Sequence, residues 1–507
     1  MSKRINFTTI QPYLWLALYA LLNLFTSGKY TIALAAWISP IIGLHFLYHN
    51  NRVRRSYGHL YLATWITLSI AWLGATPIWG LAHYGFMAVT ALLGSLPFLA
   101  DRLIAPRLAR NGRVPFIATL VFPAAATAME FLTVSGNPIG NFGATGYSQA
   151  SLPVLMQITS VTGMLGLTFL MGWVASVVNW AWNEGFAWQR VRTGVLTTAA
   201  VLVAVIAFGS VRMMTAPAPE QTVTVASFTL EEIDMHELNT LLESDPAAFR
   251  TRTTATHAAY LARTVTAAQD GAKIVVWPEL AGAGVDEDVS ALIAEGQILA
   301  KEQGIYLTIP VMRLFPGTDR KGENKLYIVD PNGQIVLEHT KFGGNMVEGT
   351  LAGDGILRTV ETPYGTLSAV ICWDTDFPNV IRQAGQMGVD ILLSPSKEWV
   401  GIDPMHADMA AFRAVENGMA VVRQADEGLS IVIDAYGRTL ATAHADDDAG
   451  NAMRVQVPTA GTTTLYAQIG DMIGLISVAL FLVFAGWAIV ASRRQRRADV
   501  AAVAAAA

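Results

Sequence analysis

Hydrophobic residues follow two different patterns along the chain. Residues 1–214 and 472–491 contain long apolar runs, and the runs at 193–211 and 472–491 carry no charged residue. A helix that crosses a bilayer needs about 20 apolar residues, because nothing in the hydrocarbon core can hydrogen-bond an open backbone. The pattern therefore predicts eight membrane-spanning helices, at roughly 11–28, 30–50, 58–79, 80–100, 114–134, 158–182, 193–211 and 472–491.

Residues 221–458 show the second pattern, in which short strand-like runs alternate with amphipathic helical segments. The turn sequences Asp330-Pro-Asn-Gly333 and Asp434-Ala-Tyr-Gly437 predict hairpins. Because a segment of about 240 residues can bury its own core, we expect an α/β domain with layers of sheet covered by helices. The predicted strands are 222–226, 272–277, 305–309, 326–329, 367–371, 391–394, 420–423 and 430–433, and the predicted helices are 245–269, 287–303, 377–388 and 406–417.

Composition and charge separate the same two parts of the chain. Only 14 % of the residues are charged, against about 25 % in an average globular protein. Residues 1–214 hold three acidic residues and thirteen Lys or Arg, a net charge of +10, whereas residues 215–470 hold 34 acidic and 17 basic residues, a net charge of −17. This distribution excludes a single soluble domain and a disordered chain, and the acidic part offers no basic face to a nucleic acid.

Basic residues in the short loops predict the orientation in the membrane. With eight spans, fifteen Lys and Arg fall on one side, and the other side has only Lys29 and Arg212. Positive loops are retained in the cytoplasm, so both termini are expected there. The predicted organisation is a transmembrane domain of about seven helices over 1–214, an external α/β domain over 215–460, a last membrane helix over 461–492 and a cytoplasmic basic tail over 493–507. The fifteen residues are Lys3, Arg4, Arg52, Arg54, Arg55, Arg102, Arg107, Arg110, Arg113, Arg190, Arg192, Arg493, Arg494, Arg496 and Arg497.

A Gly- and Asn-rich segment at 135–156 falls on the external side between the fifth and sixth predicted spans. Two interpretations are open for this loop. It either lies along the membrane surface beside the external domain or serves as a plain connector.

The single cysteine of the chain, Cys372, ends a largely apolar strand. A helix is expected to follow, opened by Asp376 and with Pro378 in its first turn. A thiol at such a corner faces helical N–H groups, which favour a thiolate and can bind an oxyanion. The ordinary alternative is a small buried hydrophobic residue. A free thiol without a function would be exposed to oxidation on the oxidising side of the membrane. A reactive thiol and a small buried hydrophobic residue are therefore equally well supported interpretations of Cys372.

Two further side chains of the external domain are candidates for chemistry. Glu279 follows the apolar strand at Trp277-Pro278, and burial there would raise its pKa toward that of a general base. Taken alone, Glu279 is better explained as a solvated strand-end residue, and Lys341 as a surface lysine. A Cys–His pair with His339 or His406 as base is a further alternative, although no motif supports either histidine.

Taken together, these residues resemble the nitrilase, or carbon–nitrogen hydrolase, superfamily, which places a Glu–Lys–Cys triad in a four-layer αββα sandwich. The order Glu279, Lys341, Cys372 matches that triad, Trp277-Pro-Glu279 resembles its base motif, and Ile371-Cys-Trp-Asp374 resembles its nucleophile motif. The resemblance implies Glu279 as general base, Lys341 as oxyanion stabiliser and Cys372 as nucleophile. It covers about residues 220–458, where Arg413-Ala-Val-Glu-Asn-Gly418 also fits the superfamily's C-terminal part.

A nitrilase-like domain between a seventh and an eighth span further resembles the apolipoprotein N-acyltransferase family. That family moves an acyl chain from a phospholipid to the N-terminal amine of a diacylglyceryl lipoprotein cysteine, through a Cys thioester. The resemblance implies an acyltransferase of lipoprotein biosynthesis in the cell inner membrane, with the phospholipid donor, the lipoprotein acceptor and the bilayer as partners. No nucleic acid, metal, nucleotide or redox cofactor is indicated by any motif.

The sequence also departs from this family. The stretch after Lys341 is Phe-Gly-Gly-Asn-Met-Val-Glu348, where the acyltransferases usually have His-Leu-Val-Pro-Phe-Gly-Glu, so Glu348 stands for their second active-site Glu at a different spacing. Trp373 and Asp374 follow the nucleophile where the family more often has Tyr-Glu. These changes keep the triad and leave a second function open: a membrane-tethered amidase or hydrolase with water as the acceptor.

Overall fold

The structure is a computed structural model, and it describes residues 7–50, 52–109, 113–230, 234–444 and 451–506. The chain divides into two compact units. The helical unit comprises Met1–Gly136, Gly143–Val211 and Asp471–Ala507, and the sheet unit comprises Asn137–Phe142 and Arg212–Gly470. Of the basic residues that predict the orientation, Lys3, Arg4 and Arg110 lie outside the described residues.

Helices occupy each of the eight positions at which the hydropathy pattern predicts a span. Five helical segments in the described part of the chain are long and apolar enough to cross a membrane: Leu81–Leu108, Phe116–Ser135, Met164–Asn183, Trp188–Met214 and Met472–Ala504. A shorter apolar helix lies at Ala33–Tyr48. The helices of this part of the chain are α1 (Phe7–Asn23), α2 (Ala33–Tyr48), α3 (Val53–Ala71), α4 (Leu81–Ile104), α5 (Val121–Ser135), α6 (Pro153–Met156), α7 (Thr159–Thr162), α8 (Met164–Asn183), α9 (Trp188–Met214) and α17 (Met472–Ala506).

The sheet unit is built from two mixed sheets and the helices that cover them. Its strands are β1 (Thr222–Phe228), β2 (Ile274–Val276), β3 (Gly282–Val285), β4 (Tyr306–Leu314), β5 (Glu323–Val329), β6 (Ile335–Thr340), β7 (Thr359–Thr362), β8 (Gly365–Ala369), β9 (Ile391–Leu393), β10 (Ser396–Lys397), β11 (Ala420–Arg423), β12 (Ala425–Asp426), β13 (Ser430–Ile433), β14 (Thr439–Ala443) and β15 (Ala452–Pro458). Its helices are α10 (Met235–Ser244), α11 (Pro246–Gln269), α12 (Asp286–Gln303), α13 (Asn345–Glu348), α14 (Pro378–Gln386), α15 (Met405–Asn417) and α16 (Leu465–Ile469).

Each sheet has parallel strands in its middle and antiparallel strands at its edges. The first runs in the order β15-β1-β2-β4-β5-β6, with β3 paired to β4, and the second in the order β14-β13-β11-β9-β8-β7. The pairs β1–β2, β2–β4, β8–β9 and β9–β11 are parallel. Strands β10 and β12 form a separate short parallel pair.

Alternation of side chains along the strands produces three apolar layers. The inner faces of the two sheets pack on each other, with Val225 and Ile274 of the first sheet in the same buried cluster as Leu367 and Val422 of the second. The outer face of the first sheet packs on α11 and α12, and that of the second on α14 and α15. Because successive strand residues point to opposite faces, each central strand contributes side chains to two hydrophobic cores. The result is the predicted αββα sandwich.

The strands and helices expected between 222 and 433 are present, with ends that shift by a few residues. Both predicted hairpins form, β5–β6 and β13–β14. The loop at 135–156 is divided: Asn137–Phe142 belongs to the sheet unit, so this part is more than a connector.

Candidate active site

Glu279 lies just beyond the end of β2, and it is buried rather than solvated, with only 2 % of its surface exposed. Its Oε1 accepts hydrogen bonds from Lys341 Nζ and from Asn324 Nδ2, both at 2.7 Å. Its Oε2 accepts from the backbone N–H of Lys397 at 2.9 Å. A carboxylate with three donors is held in one orientation, and the interpretation of Glu279 as an ordinary solvated residue is therefore wrong.

Lys341 directly follows β6, and 1 % of its surface is exposed, which also excludes the surface-lysine interpretation. Its ammonium group contacts the carboxylates of both Glu279 and Glu348. Burial by itself would lower the pKa of Lys341, but the charges of Glu279 and then Glu348 outweigh it and raise that pKa well above its usual value. Lys341 is therefore a fixed positive charge inside the domain.

Cys372 is buried at the start of a one-turn 3-10 helix, Cys372–Asp376, after the end of β8. Its φ is +45°, a left-handed conformation that side chains other than glycine rarely adopt. The backbone N–H of Cys372 donates to the Pro395 carbonyl at 2.8 Å. Such strained backbone persists only where the surrounding contacts enforce it, and it is concentrated at functional sites.

The environment of the Cys372 thiol contains opposing charges. Burial raises the pKa of the thiol, and the negative charge of Glu279 raises it further. The nearby His406 side chain and the positive charge of Lys341 act in the opposite direction and lower that pKa. The thiol is thus mainly protonated at rest, and a neighbouring base must accept its proton before it can attack.

The backbone of Lys397 connects Glu279 to Cys372. Its N–H donates to Glu279, and its carbonyl accepts a hydrogen bond from Cys372 Sγ at 3.3 Å. Lys397 lies on β10, and the pairing of β10 with β12 fixes this backbone. Sequence reasoning missed Lys397 because backbone contacts leave no signature in the identity of a side chain.

Glu348 ends the one-turn helix α13, which lies between Gly344 and Gly349, both with positive φ. Its carboxylate is the second partner of Lys341, and the Glu348 side chain is 29 % exposed. Burial raises the pKa of Glu348, and the charge of Lys341 only partly offsets this increase. The structure thus brings Glu348 to the Glu279–Lys341 pair despite its unusual spacing in the sequence.

Asp374 and Trp373 fix the turn that begins at Cys372. Asp374 accepts hydrogen bonds from the backbone N–H groups of Phe342, Gly343 and Ile371 at 2.7–2.9 Å, and it lies 2.7 Å from His339 Nε2. The turn is therefore tied to the backbone that directly follows Lys341. The Trp373 indole points the other way, toward the segment Asn137–Phe142.

That segment contacts the same turn at two points and His406 of α15 at a third, and the sequence indicated none of these contacts. Trp373 Nε1 donates to the Ile139 carbonyl at 3.1 Å, and the Asn141 N–H donates to the Asp376 carbonyl at 2.8 Å. The Phe142 ring meets the His406 ring edge-on, with 6.2 Å between centroids.

The described residues include no group of three or more His, Cys, Asp or Glu arranged to hold a metal ion.

Two family profiles match the chain. The profile described as Carbon-nitrogen hydrolase matches residues 230–467, and that described as Apolipoprotein N-acyltransferase N-terminal domain matches residues 8–177. Together they cover most of the sheet unit, including Glu279, Lys341 and Cys372, and the apolar helices up to residue 177.

Relatives named apolipoprotein N-acyltransferase align over much of the chain. The protein of Rhizobium leguminosarum bv. trifolii is 27 % identical over 59 % of this chain and 60 % of its own length. That of Bradyrhizobium diazoefficiens is 25 % identical over 82 % of this chain and 79 % of its own length. That of Geobacter metallireducens is 26 % identical over 86 % and 84 %. The chain thus spans about 60 % of the length of the first relative and more of the other two.

Two solved structures of smaller proteins are similar to about half of the chain. An amidase from Nesterenkonia sp. is 18 % identical, with a TM-score of 0.37, over 51 % of this chain and 95 % of its own. A carbon-nitrogen hydrolase from Helicobacter pylori is 16 % identical, with a TM-score of 0.39, over 47 % of this chain and 90 % of its own.

Proposed function

The chain belongs to the apolipoprotein N-acyltransferase family, and on that premise we propose that it transfers a fatty acyl chain from a phospholipid to the N-terminal amine of a lipoprotein cysteine. The observation that carries the proposal is the shared attachment of Glu279 and Cys372 to the backbone of Lys397, with Lys341 bound to the same glutamate. A base, a thiol and a cation are held together there by hydrogen bonds.

In the first half of the reaction, Glu279 accepts the proton of the Cys372 thiol, and the thiolate attacks the carbonyl carbon of the phospholipid ester. Lys341 and the backbone N–H of Trp373 stabilise the negative charge that develops on the carbonyl oxygen. The C–O bond of the ester then breaks, the alkoxide of the lysophospholipid takes the proton from Glu279, and a thioester on Cys372 remains.

In the second half, the N-terminal amine of the lipoprotein attacks the thioester carbonyl. Glu279 accepts a proton from the amine and returns it to the departing sulfur of Cys372, so that an amide forms and the enzyme is restored. Glu348 holds Lys341 in place through both halves of the cycle. Because both substrates carry chains that stay in lipid, the catalyst must work at the bilayer surface.

The proposed topology serves this chemistry. Eight spans would place the domain at 215–460 outside the cytoplasmic membrane, between the helices of 1–214 and the last helix at 461–492, with both termini and the tail at 493–507 in the cytoplasm. The excess of basic residues on one side supports this orientation. In a Cys372→Ser background, new cysteines at Asp319 and at Arg494 test it: a membrane-impermeant maleimide should label the first and not the second in intact spheroplasts.

The decisive experiment is mass spectrometry of lipoprotein N-termini from cells depleted of this protein. Loss of the N-linked acyl chain, restored by the unchanged chain and not by Cys372→Ala, is the expected result. Fully acylated lipoproteins after depletion would rule the proposal out. If purified protein released free fatty acid or ammonia from its substrate without acylating an amine, the hydrolase alternative would replace it.

A further inference from the structure

Behind the nucleophile lies a buried cluster of four charged side chains that the proposed mechanism does not use: His406, Asp376, Glu398 and Arg423. His406 Nε2 lies 3.0 Å from Asp376 Oδ1, and its Nδ1 lies 2.9 Å from Glu398 Oε1. Arg423 contacts the same Glu398 oxygen, and its Nη2 is 3.1 Å from His406 Nδ1. Only 3 % of the His406 surface is exposed, so water does not compensate these charges.

The partners of His406 determine its protonation state. A neutral imidazole carries one N–H and can donate to one carboxylate only, whereas each ring nitrogen here faces a carboxylate. Two carboxylates and one guanidinium would leave a net negative charge in the core, and an imidazolium makes the cluster neutral. Burial alone would lower the pKa of His406, but the charge of Asp376 leads the effects that raise it well above its usual value.

The cluster acts on Cys372 by two routes. Asp376 is the last residue of the turn Cys372–Asp376, so its bond to His406 anchors the turn that holds the thiol in its left-handed conformation. The positive charge of His406 also lowers the pKa of the Cys372 thiol. Because both of its nitrogens already carry protons, His406 is not able to serve as the base of a Cys–His pair.

We infer that His406 is a positioning residue for the nucleophile: held as an imidazolium between Asp376 and Glu398, it fixes the Cys372 turn and stabilises the thiolate. This role rests on the proposed function only in taking Cys372 as the nucleophile. Glu279 removes the proton, and His406 favours the charge that remains on sulfur.

Alkylation of the single cysteine by iodoacetamide measures this effect directly in the purified full chain. The rate constant is followed by mass spectrometry from pH 6 to pH 10 for the unchanged protein and for His406→Gln. Loss of the imidazolium should lower the rate about tenfold at pH 7.5, corresponding to a pKa increase of about one unit, and the two rates should converge at high pH. His257→Gln is the matched control, since His257 is a buried histidine that contacts the Ala283 carbonyl in the same unit.

An unchanged alkylation profile in folded His406→Gln, or an equal change in His257→Gln, would overturn the inference. If His406→Gln fails to fold, NMR of the unchanged protein with labelled histidine replaces this test. One imidazole should stay doubly protonated above pH 8, and its chemical shift should change when Cys372 is alkylated. A chain in which every histidine is neutral at pH 8 contradicts the role. Iodoacetamide needs no lipid, so this test can succeed where acyl transfer fails, and the two proposals are separable.

Discussion

The indole of Trp373 donates its N–H to the carbonyl of Ile139, a residue 234 positions earlier in the chain. Ile139 belongs to a segment that begins shortly after the apolar helix α5, while Trp373 directly follows Cys372. The turn that carries Cys372 is therefore fixed from two directions, by Asp374 toward the residues after Lys341 and by Trp373 toward Asn137–Phe142.

Trp373→Phe removes this hydrogen bond and keeps most of the ring. Because the Ile139 carbonyl then loses its donor, we expect a loss of about 1 kcal/mol in unfolding free energy and a several-fold decrease in acyl transfer. Thermal unfolding in detergent and the rate of thioester formation measure the two effects. Trp79→Phe, at a 69 % exposed tryptophan, serves as the control and should change neither quantity.

Gly140 packs against the same turn so closely that a Cβ atom there would lie 2.3 Å from the Asp376 carbonyl oxygen. Its φ of +69° is also unfavourable for alanine. Gly140→Ala should therefore push the segment off the turn and decrease the rate of thioester formation at least tenfold. Gly136→Ala is a matched control, because a Cβ at Gly136 meets nothing within 4 Å, and its activity should be normal. Equal activity of both variants would show that the segment does not support the turn.

The Lys341–Glu279 pair can be tested by a double-mutant cycle. Lys341→Met leaves a buried carboxylate without its cation and should cost about 3–5 kcal/mol of unfolding free energy. The double variant Lys341→Met, Glu279→Gln no longer carries the buried negative charge of Glu279, so part of the lost unfolding free energy should return. Acyl transfer should be absent in Lys341→Met and in the double variant. The coupling energy should reach about 1–3 kcal/mol.

Chemical denaturation of the four proteins of this cycle gives the coupling energy, and trapping of the acyl-enzyme from labelled phospholipid gives activity. Additive destabilisation by the two changes would contradict a strong ion pair. Measurable acyl transfer in Lys341→Met would remove lysine from the proposed oxyanion site.

Asp374 should make the stability of the sheet unit sensitive to acid. Burial favours a raised pKa for Asp374, but His339 and the backbone N–H groups of Gly343 and Ile371 outweigh burial and lower that pKa. The folded-state pKa thus lies below that of the unfolded chain, so the stabilisation is complete above about pH 4 and is lost as the pH falls through the lowered value.

Asp374→Asn should cost about 3 kcal/mol of unfolding free energy at pH 7, since an amide cannot accept all of these hydrogen bonds. The difference between the two proteins should shrink as the pH falls below 4. Unfolding curves recorded across this range measure it. A difference that grows in acid would mean that the pKa of Asp374 is raised rather than lowered.

The sequence was sufficient for the elements with strong periodicity. Central strands such as β9 and β11 are continuous apolar runs because both of their faces are buried, and they were predicted. The edge strands β7 and β15 and the short β10 were missed, since their patterns are short or mixed and pairing alone defines them.

Only those residues of the candidate site whose side-chain types follow a recognisable order along the chain were predictable. Glu279, Lys341 and Cys372 were selected by that order, but local sequence suggested exposure for two of them. Their burial depends on partners 45 to 62 positions away, such as Asn324 and Lys341 for Glu279. The backbone of Lys397 carried no local signal, and the Gly- and Asn-rich composition around Asn137–Phe142 did not decide between a loop beside the external domain and a plain connector.

Since Glu279 and Cys372 both bind the main chain of Lys397, backbone atoms make the link between the carboxylate and the thiol, while the Lys397 ammonium pairs with Asp426 and Glu427. A substitution at residue 397 keeps these two main-chain contacts but removes the Lys397 cation from the buried Asp426 carboxylate, on the strand that pairs with β10.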